Sequence, residues 1–329
     1  MKKRIVSGIT ATGTLTIGNY LGAIKNFVKL QDEFEMFIFV ADLHALTTPI
    51  DPKELRKNKK DIMALYVACG LDPEKTVLFN QSDVLEHGHM SWLMTTQTTI
   101  GELNRMTQFK DKSSKVKNSN GTEMIPTGLL IYPTLMAGDI LLYNPDTVPV
   151  GADQRQHLEL TRNIASRINN KYGEMFKLPE PYFAKEGAKI MSLTDPSSKM
   201  SKSSPQPKSH ILLLDDPAVA ANKIKKAVTD SENKVYASPD KPGVTNLLTI
   251  YAGLKDISIS EAETHFKEAN YGEFKQEVSE VVKDFLINIQ SKFTEARSRV
   301  DEIANAGAEK ASYVARRNVR KLERKLGLK

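Results

Sequence analysis

The sequence predicts an α/β fold: a doubly wound, Rossmann-like parallel sheet with a smaller C-terminal helical domain. Three observations predict it. Short apolar stretches run unbroken rather than alternating with polar residues, segments of helical periodicity separate them, and after about residue 209 the strand-like stretches stop.

The chain opens with Arg4-Ile5-Val6-Ser7-Gly8, which reads as a strand. A helix is predicted from Gly18, because Leu21, Ile24, Phe27 and Val28 recur at helical spacing. Residues 36–41 form the second apolar strand. The next helix is opened by Asp51-Pro52-Lys53-Glu54, which has the form of a capping box with proline at the first helical position, and is closed by Gly70. Further strands are predicted at 76–80, 147–151 and 189–193, with helices around 90–100, 129–143 and 154–168. Ligands of such a sheet bind at the carboxyl ends of its strands.

Residues 194–209 shift to Ser, Pro and Lys, which predicts a mobile loop or linker. Residues 110–121, polar with four lysines, predict a second flexible loop. Helices are expected at 216–229, 260–269, 274–293 and 301–326. The expected division is a catalytic domain over 1–207, a helical domain over 208–296 and a basic C-terminal helix over 297–329, with packing back on the catalytic domain open to that helix.

A chain of 329 residues with 40% hydrophobic content can bury a substantial core. Residues 297–329 carry ten Lys/Arg against four Asp/Glu, a net +6 that equals the charge of the whole chain. Such a tail suits a phosphate-rich partner, and it equally suits a solvated helix face. The single cysteine, Cys69, excludes an internal disulfide and a multi-thiolate zinc site. Glu86-His87-Gly88-His89 offers too few ligands for a structural metal, so none is expected. Met1-Lys2-Lys3-Arg4 is followed by no apolar signal region, and no run approaches the roughly 18 residues of a membrane span. A cytoplasmic location away from membranes is expected.

The first strand-to-helix turn has neither a dinucleotide fingerprint nor a Walker lysine. It holds Thr16-Ile17-Gly18-Asn19, where Gly18 permits close approach of a ligand and Thr16 and Asn19 supply neutral polar groups; an ordinary helix cap reads the same way. Lys199-Met200-Ser201-Lys202-Ser203 is more telling. Two ammonium groups and two hydroxyls in one loop can close on a polyphosphate and neutralise the charge that develops as pyrophosphate departs. Asp139 lies in the apolar run 135–143, where an unpaired carboxylate would cost several kcal/mol, so it needs a partner. Tyr132 and Met136 precede it by seven and three residues and share its helix face. That set fits an indole ring and its N–H. A helix-end carboxylate paired with Lys or Arg is the alternative. His44 follows the second strand and either borders the site or serves packing.

The two segments together resemble the paired signatures of class I aminoacyl-tRNA synthetases, usually written HIGH and KMSKS. The form TIGN is similar to that of tryptophanyl-tRNA synthetases, as are GELNRMTQFKDK (101–112), DILLYN (139–144), VGADQRQHLELTR (150–162) and IMSLTDPSSKMSKS (190–203). The resemblance implies ATP activation of L-tryptophan to an adenylate and transfer to tRNA(Trp). It implies contacts to ATP from Thr10, Ala11, Thr12, Gly18, Asn19, Gly151, Ala152, Asp153, Ile190, Lys199, Met200, Ser201, Lys202 and Ser203. Tryptophan would meet Asp139, Tyr132, Met136 and Gln154, while Lys199, Lys202 and Lys112 would act in catalysis with Mg²⁺ on the phosphates. A homodimer is also implied. Thr10 and Ala152 depart from the Gln and Glu common at those positions, so side-chain contacts made there by relatives are not carried over, while backbone contacts are. A tyrosyl-tRNA synthetase and a catalytically silent RNA-binding relative are the alternatives.

Overall fold

The structure, a computed structural model, describes residues 2–113, 125–151, 154–182, 189–202 and 204–329. Five strands form one all-parallel sheet: β1 (Arg4–Thr10), β2 (Glu35–Ala41), β3 (Thr76–Asn80), β4 (Thr147–Pro149) and β5 (Glu180–Tyr182), in the order β3-β2-β1-β4-β5. The chain moves outward from β1 to β3, then crosses back to place β4 on the other side of β1. The strand order therefore reverses between β1 and β4, and a crevice opens at their carboxyl ends.

Alternate residues of β2 serve two cores. Met36, Ile38 and Val40 point into one, Phe37, Phe39 and Ala41 into the other, so a strand buried on both faces has no polar alternation to display.

Helical structure begins with α1 (Ile17–Asn19), passes through a π-helical stretch at Tyr20–Ile24 and continues as α2 (Lys25–Leu30). Then come α3 (Asp42–Ala45), α4 (Pro52–Ala68), α5 (Glu86–Thr96), α6 (Ile100–Asn104), α7 (Thr107–Ser113), α8 (Thr127–Leu141) and α9 (Arg155–Tyr172). After the sheet follow α10 (Pro217–Lys225), α11 (Pro242–Lys255), α12 (Ile259–His265), α13 (Tyr271–Ser298) and α14 (Val300–Lys325). The punctuation of α4 is largely as expected: Asp51 accepts from the backbone of Lys53 and Glu54, Pro52 occupies the first turn and Gly70 takes a φ of +110°, but the cap is one-sided, without the return bond from Glu54 that a capping box has.

Several expectations need correction. Residues 189–193 form no strand of the sheet; Met191 makes a single antiparallel bridge with Lys199. The fifth strand is Glu180–Tyr182 instead, disguised in the sequence by Pro179 and Pro181 and tolerated because it lies at an edge. Lys110 and Lys112 belong to the last turn of α7, not to a loop, while 114–121 lie outside the described residues. Helix α11 was not expected, because Val244, Thr245, Thr249 and Ile250 are weak helix formers that tertiary burial overrides.

The C-terminal helices lie against the sheet domain. α13 packs on α4 and α10, and α14 packs on β3 and α5. Gly307 of α14 sits so near β3 that a Cβ on it would lie 1.8 Å from the Leu78 carbonyl oxygen.

Candidate functional site

A cavity of about 1080 Å³ occupies the crevice at the β1–β4 switch point. It is large for a ligand site, for which roughly 300–1,000 Å³ is usual. Its walls bring together residues from distant parts of the chain: Thr10 and Thr12 after β1, His44 after β2, Lys112 of α7, Tyr132, Met136 and Asp139 of α8, Gly151 and Gln154 after β4, and Ser201 with Lys202.

Asp139 lies on the cavity wall with only 1% of its surface exposed. Its Oδ1 accepts from Gln81 Nε2 and His87 Nδ1, each at 2.7 Å, and its Oδ2 from His44 Nε2, also at 2.7 Å. The donor direction follows from the carboxylate, which only accepts when ionised. Burial pushes this carboxyl upward, but the hydrogen bonds and charges of His44 and His87 outweigh it and hold the group at about 2. Asp139 is therefore an anion. Three donors leave room for one more among the roughly four lone-pair directions of a carboxylate, and that direction belongs to Oδ2. The sequence alternative of a Lys or Arg partner is not what the fold supplies; histidines and a glutamine serve instead.

The Tyr132 hydroxyl is held by other side chains. It meets His157 Nε2 at 2.8 Å and Gln108 Oε1 at 3.2 Å, and burial pushes its pKa up to about 12. The ring, with its polar end satisfied, can take an aromatic neighbour in the cavity. The ammonium of Lys112 stands 4.9 Å over the same ring, where desolvation holds it below the ordinary lysine range.

Another part of the wall carries Lys202. Its Nζ donates to the Gly13 carbonyl at 3.2 Å, and burial lowers its pKa to about 8. Gly13 has a φ of +132°, a conformation that favours glycine, and the turn it makes brings the backbone under the lysine stem. Met200 is buried in the core and its backbone N–H donates to the Ile190 carbonyl at 3.0 Å. The segment expected to be a loose linker is thus anchored: Asp195 accepts from the hydroxyls of Ser197 and Ser198, and Ser192 donates its N–H to the Ser198 carbonyl.

Other residues singled out in the sequence stand beside the cavity rather than on it. Thr16 and Asn19 cap their own helix reciprocally, and Gly18 faces Ile190 and Met200, so the first turn abuts the lysine loop. Ala11 is fully buried and its carbonyl accepts from Asn58. Ile190 belongs to the core, and Lys199 is exposed. Ala152, Asp153 and Ser203 lie outside the described residues. Sequence reasoning missed Gln81, and it weighed His87 only as a metal ligand. The one available signal was the position of Gln81 just past the end of β3.

A doubly wound sheet with a cavity at its switch point and a half-buried lysine beside the first turn is the arrangement of a nucleotide-binding site. Residues 1–287 match the family described as tRNA synthetases class I (W and Y), and the chain belongs to that family. It is 63% identical to the tryptophan–tRNA ligase of Mycoplasmopsis pulmonis over 328 residues, covering 100% of this chain and 99% of that one. Among solved structures it is similar to the tryptophanyl-tRNA synthetase of Mycoplasma pneumoniae (TM-score 0.94, 44% identity, covering 100% of this chain and 99% of that one). It is also similar to the enzyme of Campylobacter jejuni in complex with ADP and tryptophan (TM-score 0.81, 33% identity, 98% and 99% covered).

Proposed function

We propose that this chain is a tryptophan–tRNA ligase: it activates L-tryptophan with ATP, releases pyrophosphate and passes the acyl group to tRNA(Trp). The observation that carries the choice of amino acid is the ionised Asp139 on the cavity wall, fixed by His44, His87 and Gln81 with one acceptor direction left. An indole N–H satisfies it, while Tyr132 and Met136 of the same helix offer the ring an aromatic and a soft apolar surface. A site built to accept one hydrogen bond rejects an analogue without the donor by as much as ~10⁴–10⁵-fold.

In the first step an oxygen of the tryptophan carboxylate attacks the α-phosphorus and the bond to pyrophosphate breaks. No protein nucleophile takes part. Lys202 and Ser201 on the cavity wall would face the polyphosphate, Lys199 belongs to the same loop, and Lys112 approaches from α7; the family resemblance adds Ser203. Their work is positioning and charge neutralisation. Thr10, Thr12 and Gly151 on the cavity wall would meet the nucleotide, with Ala11, Gly18, Asn19, Ile190 and Met200 supporting that side, and Gln154 would border the amino acid; the family resemblance adds Ala152 and Asp153 to the nucleotide contacts. In the second step a hydroxyl of the tRNA terminal ribose attacks the activated carbonyl carbon and AMP leaves.

Among the described residues no three acidic, His or Cys side chains are arranged to hold a metal ion. A Mg²⁺ ion bound together with ATP would supply further neutralisation of the phosphates.

The helices over 208–296 would read the anticodon, with the basic helix over 297–329 contributing to the RNA surface. Exposed Leu85 and Trp92, at and beside α5, support a homodimer in which such apolar side chains are covered. Among the described residues no helix is long and apolar enough to cross a membrane. The cytoplasm, where tRNA and ATP are both available, is the compartment this reading implies.

Amino-acid-dependent exchange of pyrophosphate into ATP, run with each standard amino acid and without tRNA, tests reaction and substrate together. Tryptophan alone should support exchange. Exchange with tyrosine in its place, or with no amino acid, would overturn the reading.

A further inference from the structure

We propose that Asn246 is a positioning residue for adenylate formation, its side-chain amide locking the segment that leads into the lysine loop onto helix α11. The inference rests on the reading of that loop as the phosphate grip.

Asn246 is 4% exposed and lies on α11, far in sequence from the loop. Its Oδ1 accepts from the Met191 backbone N–H at 2.8 Å, and its Nδ2 donates to the carbonyl of the same residue at 2.9 Å. That is the double exchange an adjacent residue makes in an antiparallel ladder. A side chain here stands in for a missing strand. It does so where residues 189–193 have no neighbour in the sheet, and the groups it pairs are ones that burial requires to be satisfied.

What Asn246 holds, it holds close to the lysines. Met191 bridges Lys199 across a short hairpin, with Ser192 N–H donating to the Ser198 carbonyl and Met200 N–H to the Ile190 carbonyl. Lys202 follows two residues after Met200. A displacement of Met191 is therefore passed directly to the loop.

The other end of the clamp is rigid. Lys241, just before α11, is 4% exposed; its ammonium donates to the Tyr271 hydroxyl at 2.8 Å and the Lys234 carbonyl at 2.9 Å, with Asp230 and Glu232 as counter-ions. These contacts anchor the start of α11. The lysine loop thus takes its position from a helix of the C-terminal half as well as from the sheet domain.

The test is pyrophosphate exchange by the full chain with ATP and tryptophan varied separately, together with dialysis of labelled tryptophan in the absence of ATP. Asn246→Ala and Asn246→Asp should lower kcat and raise the KM for ATP, a combined loss of about 10- to 100-fold, the scale of a misplacement near 1 Å. Tryptophan affinity should stay within about twofold. Thr245→Ala, which removes both hydrogen bonds between α11 and the Ser238 backbone without touching Met191, should lower stability and spare the ATP parameters. Should Asn246→Ala fail to fold, Asn246→Asp, which keeps the acceptor for Met191 N–H, carries the same comparison. Wild-type exchange kinetics in the folded variants, or a parallel loss of tryptophan binding, would overturn the positioning role. A wild-type chain that exchanges with no amino acid would instead remove the functional reading beneath it.

Discussion

The ammonium of Lys202 donates to the carbonyl oxygen of Gly13 across 3.2 Å, joining the lysine loop to the first turn after β1 although 189 residues separate them in the chain. A carbonyl is a weak partner for a cation that burial holds at about pKa 8. The lysine is poised for a stronger anion, the role the proposed function gives to the polyphosphate of ATP.

Lys202→Ala should therefore slow adenylate formation by on the order of 100-fold or more, the effect of removing one preorganised charge interaction. The pH profile tests the same residue in the unmodified chain. Because kcat/KM reports the free enzyme, kcat/KM for ATP should fall as pH rises through about 8 and Lys202 loses its proton. Lys202→Arg, charged throughout, should lack that alkaline limb. The stability sign is opposite: a lowered lysine pKa costs stability below about 8, and the cost is relieved toward the ordinary 10.5. A profile flat between pH 7 and 10 would remove Lys202 from the phosphate site.

Asp139→Asn should weaken discrimination for tryptophan more than binding of ATP. The amide keeps the shape but offers an NH₂ where the carboxylate accepted, so at least one of Gln81, His87, His44 or the indole loses its acceptor. A buried group left unpaired costs ~1–3 kcal/mol, about 10- to 100-fold in a binding constant. Steady-state exchange with tryptophan and phenylalanine compared side by side measures it; equal losses for ATP and tryptophan would sink the assignment. The carboxyl is held at about 2 rather than 3.8, so it stabilises the folded chain above about pH 3.8 and that contribution disappears as pH falls toward 2. The asparagine variant should lack this part of the acid dependence of unfolding.

What the sequence made legible, and what it hid, follows the range of the interactions. Asp51, Pro52 and Gly70 act within a turn of the residues they affect, and the boundaries of α4 were readable from them. Tyr132, Met136 and Asp139 share a face through helical spacing alone, and all three line the cavity. Gln81 reaches Asp139 across 58 residues and Asn246 reaches Met191 across 55, and no local pattern announces either. Residues 189–193 carry a strand's composition, yet they pair with a short hairpin and, at Met191, with the Asn246 side chain rather than with the sheet, which periodicity cannot reveal. The prolines around Tyr182 argued against a strand that only its edge position permits.

Gly307→Ala puts two effects in opposition. Alanine is the better helix former by about 1 kcal/mol, which would stabilise α14 if its surface were open. It is not open: the added methyl would lie 1.8 Å from the Leu78 carbonyl oxygen, and a backbone atom of β3 has little freedom to withdraw. Overpacking of this kind costs ~1–3 kcal/mol and should win, lowering the unfolding midpoint in urea as α14 is pushed off the sheet. A raised midpoint would show that α14 docks less closely than the structure has it.

The basic helix α14 poses the sharpest question for RNA, because not every arginine on it is equally available. Arg316 already pairs with Glu86 at 3.1 Å, so reversing its charge would disturb the seat of the helix as well as any RNA contact. Arg317 and Arg320 are both exposed, which makes them the cleaner probes. The double variant Arg317→Glu/Arg320→Glu should weaken tRNA binding and reduce the slope of log affinity against log salt by about 1 for each phosphate that is no longer neutralised. Tryptophan-dependent pyrophosphate exchange without tRNA should remain at the wild-type rate, since neither residue borders the cavity. If affinity and its salt slope are both unchanged, the positive charge of α14 is a solvated face, and the RNA is held by other helices.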